Sequence, residues 1–208
     1  MYSWKAFRSI LLILCLTPAG CLSLDAKPDP SRFFALASLP RTGQRADTAV
    51  ATNALALGIG PVRFPGYLDR QQIVTRISEN RFAVAENDRW AEPLEENFSR
   101  VLAQNLSILL QSDGIVGYPW ERNQRPTYQV QVEVLRFEPA AEQHVELWAR
   151  WMILDDARKS LRASESYLTQ QARDKSTDAS VAAMSEALSD LSKEIAAAIR
   201  GLTKGQGS

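Results

Sequence analysis

Three runs of alternating apolar and polar residues dominate the second half of the chain. They are Tyr128–Phe137, His144–Leu154 and Leu161–Gln170, and short polar turns join them. Because successive side chains of a strand point to opposite faces, such runs are typical of strands that bury one face. Trp148 and Trp151 fall on opposite faces, so we expect one in the core and the other partly exposed. The three runs predict an antiparallel meander.

Shorter strand candidates lie nearer the N-terminus. Ser78-Glu79-Asn80 separates the last two of them and has the composition of a hairpin turn. The four candidates are Arg32–Leu39, Ala54–Val62, Ile73–Ile77 and Arg81–Ala85.

Two segments follow the helical period instead. The first begins at Pro93 and is expected to end at Asp113-Gly114, and the second runs from Asp178, the expected N-cap, to about Gly201. Each carries one apolar stripe, which a sheet face would cover. A coiled coil is the alternative for the second, but its broad stripe favours globular packing. The fold class predicted is α+β: a mostly antiparallel sheet, with three longer C-terminal and several shorter N-terminal strands, packed by two amphipathic helices.

The first twenty residues have the layout of a secretory signal, with two basic residues, the apolar run Ile10–Leu16 and a small-residue end. The run is well short of the roughly 20 residues that a membrane-spanning helix needs. Ala19-Gly20-Cys21 resembles the lipobox of bacterial lipoproteins, which implies cleavage before Cys21 and acylation of that cysteine. Pro18 departs from the lipobox pattern, so ordinary signal cleavage near Ala19 is the alternative.

These features predict a domain organisation of a signal at 1–20, a lipidated tether at 21–31, one domain at 32–202 and a flexible tail at 203–208. Ten extended residues reach roughly 30 Å, enough to clear a lipid headgroup layer but not to cross a periplasm. Leu22 after the cysteine matches the sorting pattern of enterobacterial outer-membrane lipoproteins. We therefore expect a lipid-anchored protein on the periplasmic face of the outer membrane.

The charge balance argues against a nucleic-acid partner. The chain has 24 Lys+Arg and 24 Asp+Glu, so its formal net charge is zero. Non-specific nucleic-acid binding relies on an excess of basic groups, which this composition does not provide.

The sequence offers no recognisable catalytic, cofactor-binding or metal site. Cys21 is the expected lipid attachment point, and His144, the only histidine, lies at a strand start without a nucleophile elbow. The pairs Glu95-Glu96 and Asp155-Asp156 are interpreted as solvated surface. A hydrolase with two distant carboxylates remains the least favoured alternative, because such pairs follow no local spacing rule.

A cluster of large side chains suggests a protein-contact surface. Phe64, Tyr67 and Leu68 lie in a Pro/Gly-rich loop that continues into Asp69 and Arg70. Rigid aromatic groups beside charged groups are common anchors of protein interfaces. The alternative is that they cover a sheet edge or helix ends. The predicted contact set adds a second region, Arg89-Trp90.

Three stretches together resemble the PqiC-like auxiliary lipoproteins of ABC-type and MCE-type intermembrane transport systems. They are Leu57–Arg76, Arg81–Asn105 and Tyr118-Pro119-Trp120, with GPV, YLDR, QIV and DRWAEPL in that order. The resemblance implies a periplasm-facing α/β domain on the outer membrane. It also implies that the domain helps an MCE-domain protein and its ABC permease and ATPase to move lipids or other hydrophobic molecules.

We therefore predict a non-enzymatic adaptor that Cys21 anchors and that touches its transport partner through the 64–70 loop and the Arg89-Trp90 region. The first alternative is a periplasmic module that itself encloses an acyl chain. The sequence leaves the cargo and the oligomeric state open, a homo-oligomer included.

Overall fold

The structure, a computed structural model, describes residues 28–41, 55–121 and 124–205. The predicted signal, Cys21 and most of the predicted tether lie outside these ranges, as does the end of the predicted tail. The chain divides after Pro30, and the unit that begins at Ser31 contains the strands and helices described here. In chain order they are β1 (Arg32–Phe34), β2 (Leu57–Arg63), β3 (Gln72–Ser78), β4 (Arg81–Trp90), α1 (Leu94–Leu110), β5 (Ile115–Gly117), β6 (Tyr128–Pro139), β7 (His144–Asp155), β8 (Ser160–Gln171) and α2 (Thr177–Gly205).

The larger sheet has five strands in the order β5-β2-β6-β7-β8. Strands β6, β7 and β8 form the predicted antiparallel meander, with Glu133 opposite Arg150 and Arg150 opposite Glu165. β2 instead pairs in parallel with both β5 and β6, so the sheet is mixed rather than wholly antiparallel. Parallel neighbours need a long crossover connection, and the chain between β2 and β5 supplies one that includes α1.

The smaller sheet has the order β1-β4-β3. The predicted hairpin is confirmed as β3 and β4, which are antiparallel. β4 continues to Trp90, well past its predicted end, because its last residues pair in parallel with β1. A β-bridge between Arg76 and Ala140 joins the two sheets.

β1 is shorter than the predicted strand Arg32–Leu39. Side chains of the two helices, rather than a neighbouring strand, accept hydrogen bonds from the backbone that follows it. The Leu36 amide donates to Asn97 Oδ1 at 2.7 Å, and the Leu39 amide donates to Asn105 Oδ1 at 2.8 Å. Ser185 Oγ on α2 accepts the intervening amide of Ala37 at 3.0 Å. We call residues 36–39 the clamped segment. Side chains replace the sheet partners that its backbone would otherwise need.

One hydrophobic core lies between the larger sheet and the two helices. On α2 the predicted stripe is confirmed, and Met184, Leu188, Leu191 and Ile195 are buried. Trp151 is also buried, whereas Trp148 is half-buried, as the alternation of side chains predicts. The largest fully buried side chains are Phe98, Phe137, Leu57, Ile59, Leu102, Leu106, Leu147, Ile153, Met184, Leu188, Leu191 and Ile195.

The helix ends differ from the expected ones. α1 ends at Leu110 because Gln111 adopts a left-handed conformation (φ 52°), so Asp113-Gly114 lies beyond the helix. α2 begins at Thr177, and Ser176 rather than Asp178 caps it, since Ser176 Oγ accepts the Ala179 amide at 3.1 Å. Neither described helix is long and apolar enough to cross a bilayer.

Two glycines of β2 make room for the segment that precedes β6. A Cβ atom at Gly58 would come within 2.8 Å of Trp120, and one at Gly60 would come within 2.7 Å of Tyr118 Cβ. Gly60 also has φ +119°, which side chains rarely tolerate. The Tyr118-Pro119-Trp120 stretch is therefore packed against the strand that carries the GPV residues.

Candidate docking cleft

A cleft of about 540 Å³ opens where the end of β4, the turn after β2 and the first turn of α1 meet. Its floor is apolar and consists of Leu68, Trp90 and Leu94, with Phe64 beside them. Leu68 and Trp90 are only 4% and 5% exposed. The floor therefore belongs to the core, and only its outer surface faces the cleft.

Backbone hydrogen bonds set the positions of the floor residues. Gly66–Leu68 form a single 3-10 turn, in which the Leu68 amide donates to the Pro65 carbonyl at 3.0 Å. The Trp90 amide donates to the Gln71 carbonyl at 2.6 Å, which holds the end of β4 against this turn.

Phe64 connects the cleft to the centre of the core. Its ring lies edge-on to Phe98, with ring centroids 5.2 Å apart, and to Phe137 at 6.3 Å. Edge-to-face pairs of this kind stabilise a fixed arrangement of aromatic rings. The cleft floor is thus held by rings from the loop, α1 and β6.

The rim of the cleft is charged and mostly acidic. Glu92 is neutralised within the protein, because its carboxylate accepts hydrogen bonds from Arg100 and Asn97, which lower its pKa. The pKa of Glu95 is raised, first by burial and then by the negative charges of Asp69 and Glu96. The rim therefore holds carboxylates that repel one another.

Arg70 is the basic residue that lines the cleft. Its side chain is exposed, and within the described part of the chain it forms no ion pair. The same holds for Asp69. Both charges are available to a binding partner.

A second polar cluster lies next to the cleft and ties the two sheets together. Arg76 Nε donates to Glu138 Oε1 at 2.6 Å, and Tyr67 donates its hydroxyl proton to Glu138 Oε2 at 2.7 Å. The Phe137 amide adds a third donor at 2.9 Å. Burial, followed by the hydrogen bond to Glu138, raises the pKa of Tyr67. The Tyr67 ring stacks on Phe82 with centroids 4.7 Å apart.

The structure brings five of the seven predicted contact residues to the cleft: Phe64, Leu68, Asp69, Arg70 and Trp90. Leu68 and Trp90, which the sequence predicts on a contact surface, form the buried floor of the cleft because their side chains pack into the core. Tyr67 turns away to Glu138. Arg89 precedes Trp90 on a strand and so points to the opposite face, where its Nε is buried without a hydrogen-bond partner among the described residues.

Sequence reasoning missed the α1 side of the cleft. Glu95 and Glu96 were interpreted as plain solvated surface, and they are exposed, but they also line the cleft beside Leu94. The sequence feature that could have indicated it is the short spacing between Trp90 and the start of the helix at Leu94. A contact residue at that position requires the first turn of the helix to lie close by.

His144 lies at the start of β7 and is half-buried, with Nε2 3.4 Å from Glu146 Oε1. Burial acts to raise the pKa of Glu146, but hydrogen bonds from Arg136 and Tyr167 outweigh it and lower that pKa.

In the described ranges, no group of three or more His, Cys, Asp or Glu residues is placed to hold a metal ion.

The sequence of this α+β domain matches a known class of transport component. The family model for the ABC-type transport auxiliary lipoprotein component matches residues 38–196. The chain belongs to this family, which confirms the family resemblance noted in the sequence.

Solved structures share the fold. A crystal structure of an uncharacterized protein has a TM-score of 0.67 at 20% identity, and the match covers 81% of this chain and 98% of that one. A crystal structure of a Xanthomonas campestris protein has a TM-score of 0.63 at 18% identity, covering 84% of this chain and 99% of that one. Among curated proteins, none matches the sequence.

Proposed function

We propose that this protein is a non-enzymatic adaptor of an MCE-type intermembrane transport system. In this proposal, acylated Cys21 holds the domain on the periplasmic face of the outer membrane. The cleft then docks the MCE-domain protein, which links the domain to the ABC permease and ATPase that drive the movement of lipids or other hydrophobic molecules. Membership of the auxiliary lipoprotein family supports the transport role.

The observation that carries the docking role is the cleft itself. Protein interfaces concentrate their binding energy in a few apolar pockets surrounded by a polar rim. The cleft has that arrangement: an apolar floor fixed by the core and the unpaired charges of Asp69 and Arg70 at its edge.

The alternative, a module that carries an acyl chain, finds less support. The space between the larger sheet and the helices is filled by fully buried side chains, among them Phe98, Leu102 and Phe137. The cleft is open, and its acidic rim does not suit an anionic headgroup. Native mass spectrometry of the purified protein tests this alternative, and a stoichiometric co-purified lipid would favour it.

Site-specific photo-cross-linking in cells tests the docking role. A benzoylphenylalanine placed at Arg70, on the rim, should cross-link to the MCE-domain protein. The matched control is the same probe at Glu133, an exposed position on β6 whose side chain is 56% exposed. Equal cross-linking from both positions, or from Glu133 alone, would remove the docking role from the cleft.

The anchor is tested separately. Cys21→Ser should move the protein from the outer-membrane fraction to the soluble periplasmic fraction and abolish the mass added by acyl chains. If the protein remains membrane-bound with its native mass, another residue must anchor it or Cys21 is not acylated.

A further inference from the structure

We propose that the cleft selects a cationic partner segment, in which one large apolar side chain occupies the floor and a neighbouring lysine or arginine meets Asp69 and Glu95. This inference rests on the proposed docking function and adds the chemistry of the segment that docks.

The apolar part of the ligand follows from the floor. Leu68, Trp90 and Leu94 come from three different elements and are only 4–5% exposed, so most of the accessible apolar surface comes from the less buried Phe64, Ala91 and Pro93, which also line the cleft. Covering that surface removes apolar area from water, which favours binding of an apolar side chain. The cleft is large enough, at about 540 Å³, to admit such a side chain together with the backbone that carries it.

The charge of the ligand follows from the rim. The Arg100 guanidinium already neutralises Glu92. Among the residues that line the cleft, Asp69, Glu95 and Glu96 then outnumber Arg70, which leaves the cleft with an excess of negative charge. The raised pKa of Glu95 has burial and these acidic neighbours as its causes, so a cation at this position would relieve the repulsion.

The same features disfavour a phosphate or an anionic lipid headgroup. The N-terminus of a helix attracts anions through its free amides. Here Glu95 and Glu96, in the first turn of α1, already supply that negative charge. A second anion would meet two carboxylates before it reached the amides.

The test uses two labelled tetrapeptides with the processed full-length protein. The probe is acetyl-Lys-Leu-Trp-Lys-amide, and the charge-reversed control peptide is acetyl-Glu-Leu-Trp-Glu-amide. We expect saturable binding of the lysine peptide in fluorescence anisotropy and no saturable binding of the glutamate peptide. Binding should weaken as salt is raised, because exposed charge pairs are screened.

The protein variants separate the rim from general charge. Asp69→Asn with Glu95→Gln should weaken binding of the lysine peptide by about fivefold, the effect expected of two exposed charge contacts. The matched control is Glu142→Gln with Asp156→Asn, which removes two exposed carboxylates from distant turns and should leave the affinity unchanged. All four residues are mostly exposed and their replacements keep the side-chain shape, so these variants should fold.

Three results would overturn the inference: no saturable binding of the lysine peptide, equal binding of both peptides, or equal weakening by both double variants. If one of these results is found while the probe at position 70 still cross-links to the MCE-domain protein, the docking role stands and only the preference of the cleft for a cationic segment is refuted. Loss of the cross-link with intact, rim-dependent binding of the lysine peptide would instead count against the MCE partner.

Discussion

Replacing Arg76 with methionine would show how strongly the fold depends on the cation that faces Glu138. The Glu138 side chain is 1% exposed and that of Arg76 is 14% exposed, so their contact lies out of water. Removing one partner of a buried ion pair costs about 3–5 kcal/mol, because the other charge stays buried and uncompensated. Glu138 keeps its hydrogen bonds from Tyr67 and the Phe137 amide, so we expect the lower end, about 3 kcal/mol. In a domain of this size that lowers Tm by roughly 6–12 °C.

Urea unfolding at pH 7, followed by tryptophan fluorescence, measures the loss. The matched control is Arg100→Met, which breaks an ion pair to Glu92 whose side chains are 46% and 32% exposed. It should cost about 1 kcal/mol or less. Adding Glu138→Gln to Arg76→Met should restore about 1 kcal/mol or more, because the buried negative charge is then gone. If Arg76→Met costs no more than Arg100→Met, or if the second substitution restores nothing, the buried-charge reasoning is refuted.

Three further predictions concern stability. Leu102→Ala, at a fully buried position of α1, should lower the free energy of unfolding in urea by about 3 kcal/mol, and a loss below 1 kcal/mol would contradict its place in the core. Gly60→Ala should destabilise by about 2 kcal/mol or more in thermal melting, because φ is +119° and the new Cβ would press on Tyr118; an unchanged Tm would exclude that close approach. The hydrogen bond from Arg32 holds the pKa of Asp88 below its usual range. Its stabilising contribution is therefore present above the unfolded pKa of about 4 and is lost as pH falls through the lower folded pKa. Wild type should lose more stability than Asp88→Asn between pH 5 and pH 2 in urea titrations, and parallel losses would refute the linkage.

The long elements could be predicted from the sequence because their hydrophobic patterns are local. The run His144–Leu154 became β7 with one more residue, and the stripe on α2 fell where the periodicity placed it. The pairing of β2 was not predictable in the same way. It lies between β5 and β6, and a strand of that length carries no local signal for partners so far along the chain.

The cleft was predictable only in part. Composition drew attention to Phe64 and Arg70, and the structure does place both at the cleft. The burial of Trp90 could not be predicted from the sequence. A tryptophan near charged residues has the same local sequence pattern whether its ring protrudes, as predicted for Trp90, or lies in the floor of a cleft. The contribution of Glu95 depended on how α1 packs against the turn after β2, and that relation is tertiary.

The clamped segment gives the buried amide of Asn97 two connections. Its Oδ1 accepts the Leu36 amide, and its Nδ2 donates to Glu92, which lines the cleft. A displacement of Leu36 would therefore act on the same side chain that holds Glu92 at the lip of the cleft. The clamped segment and this edge of the cleft depend on one shared buried amide.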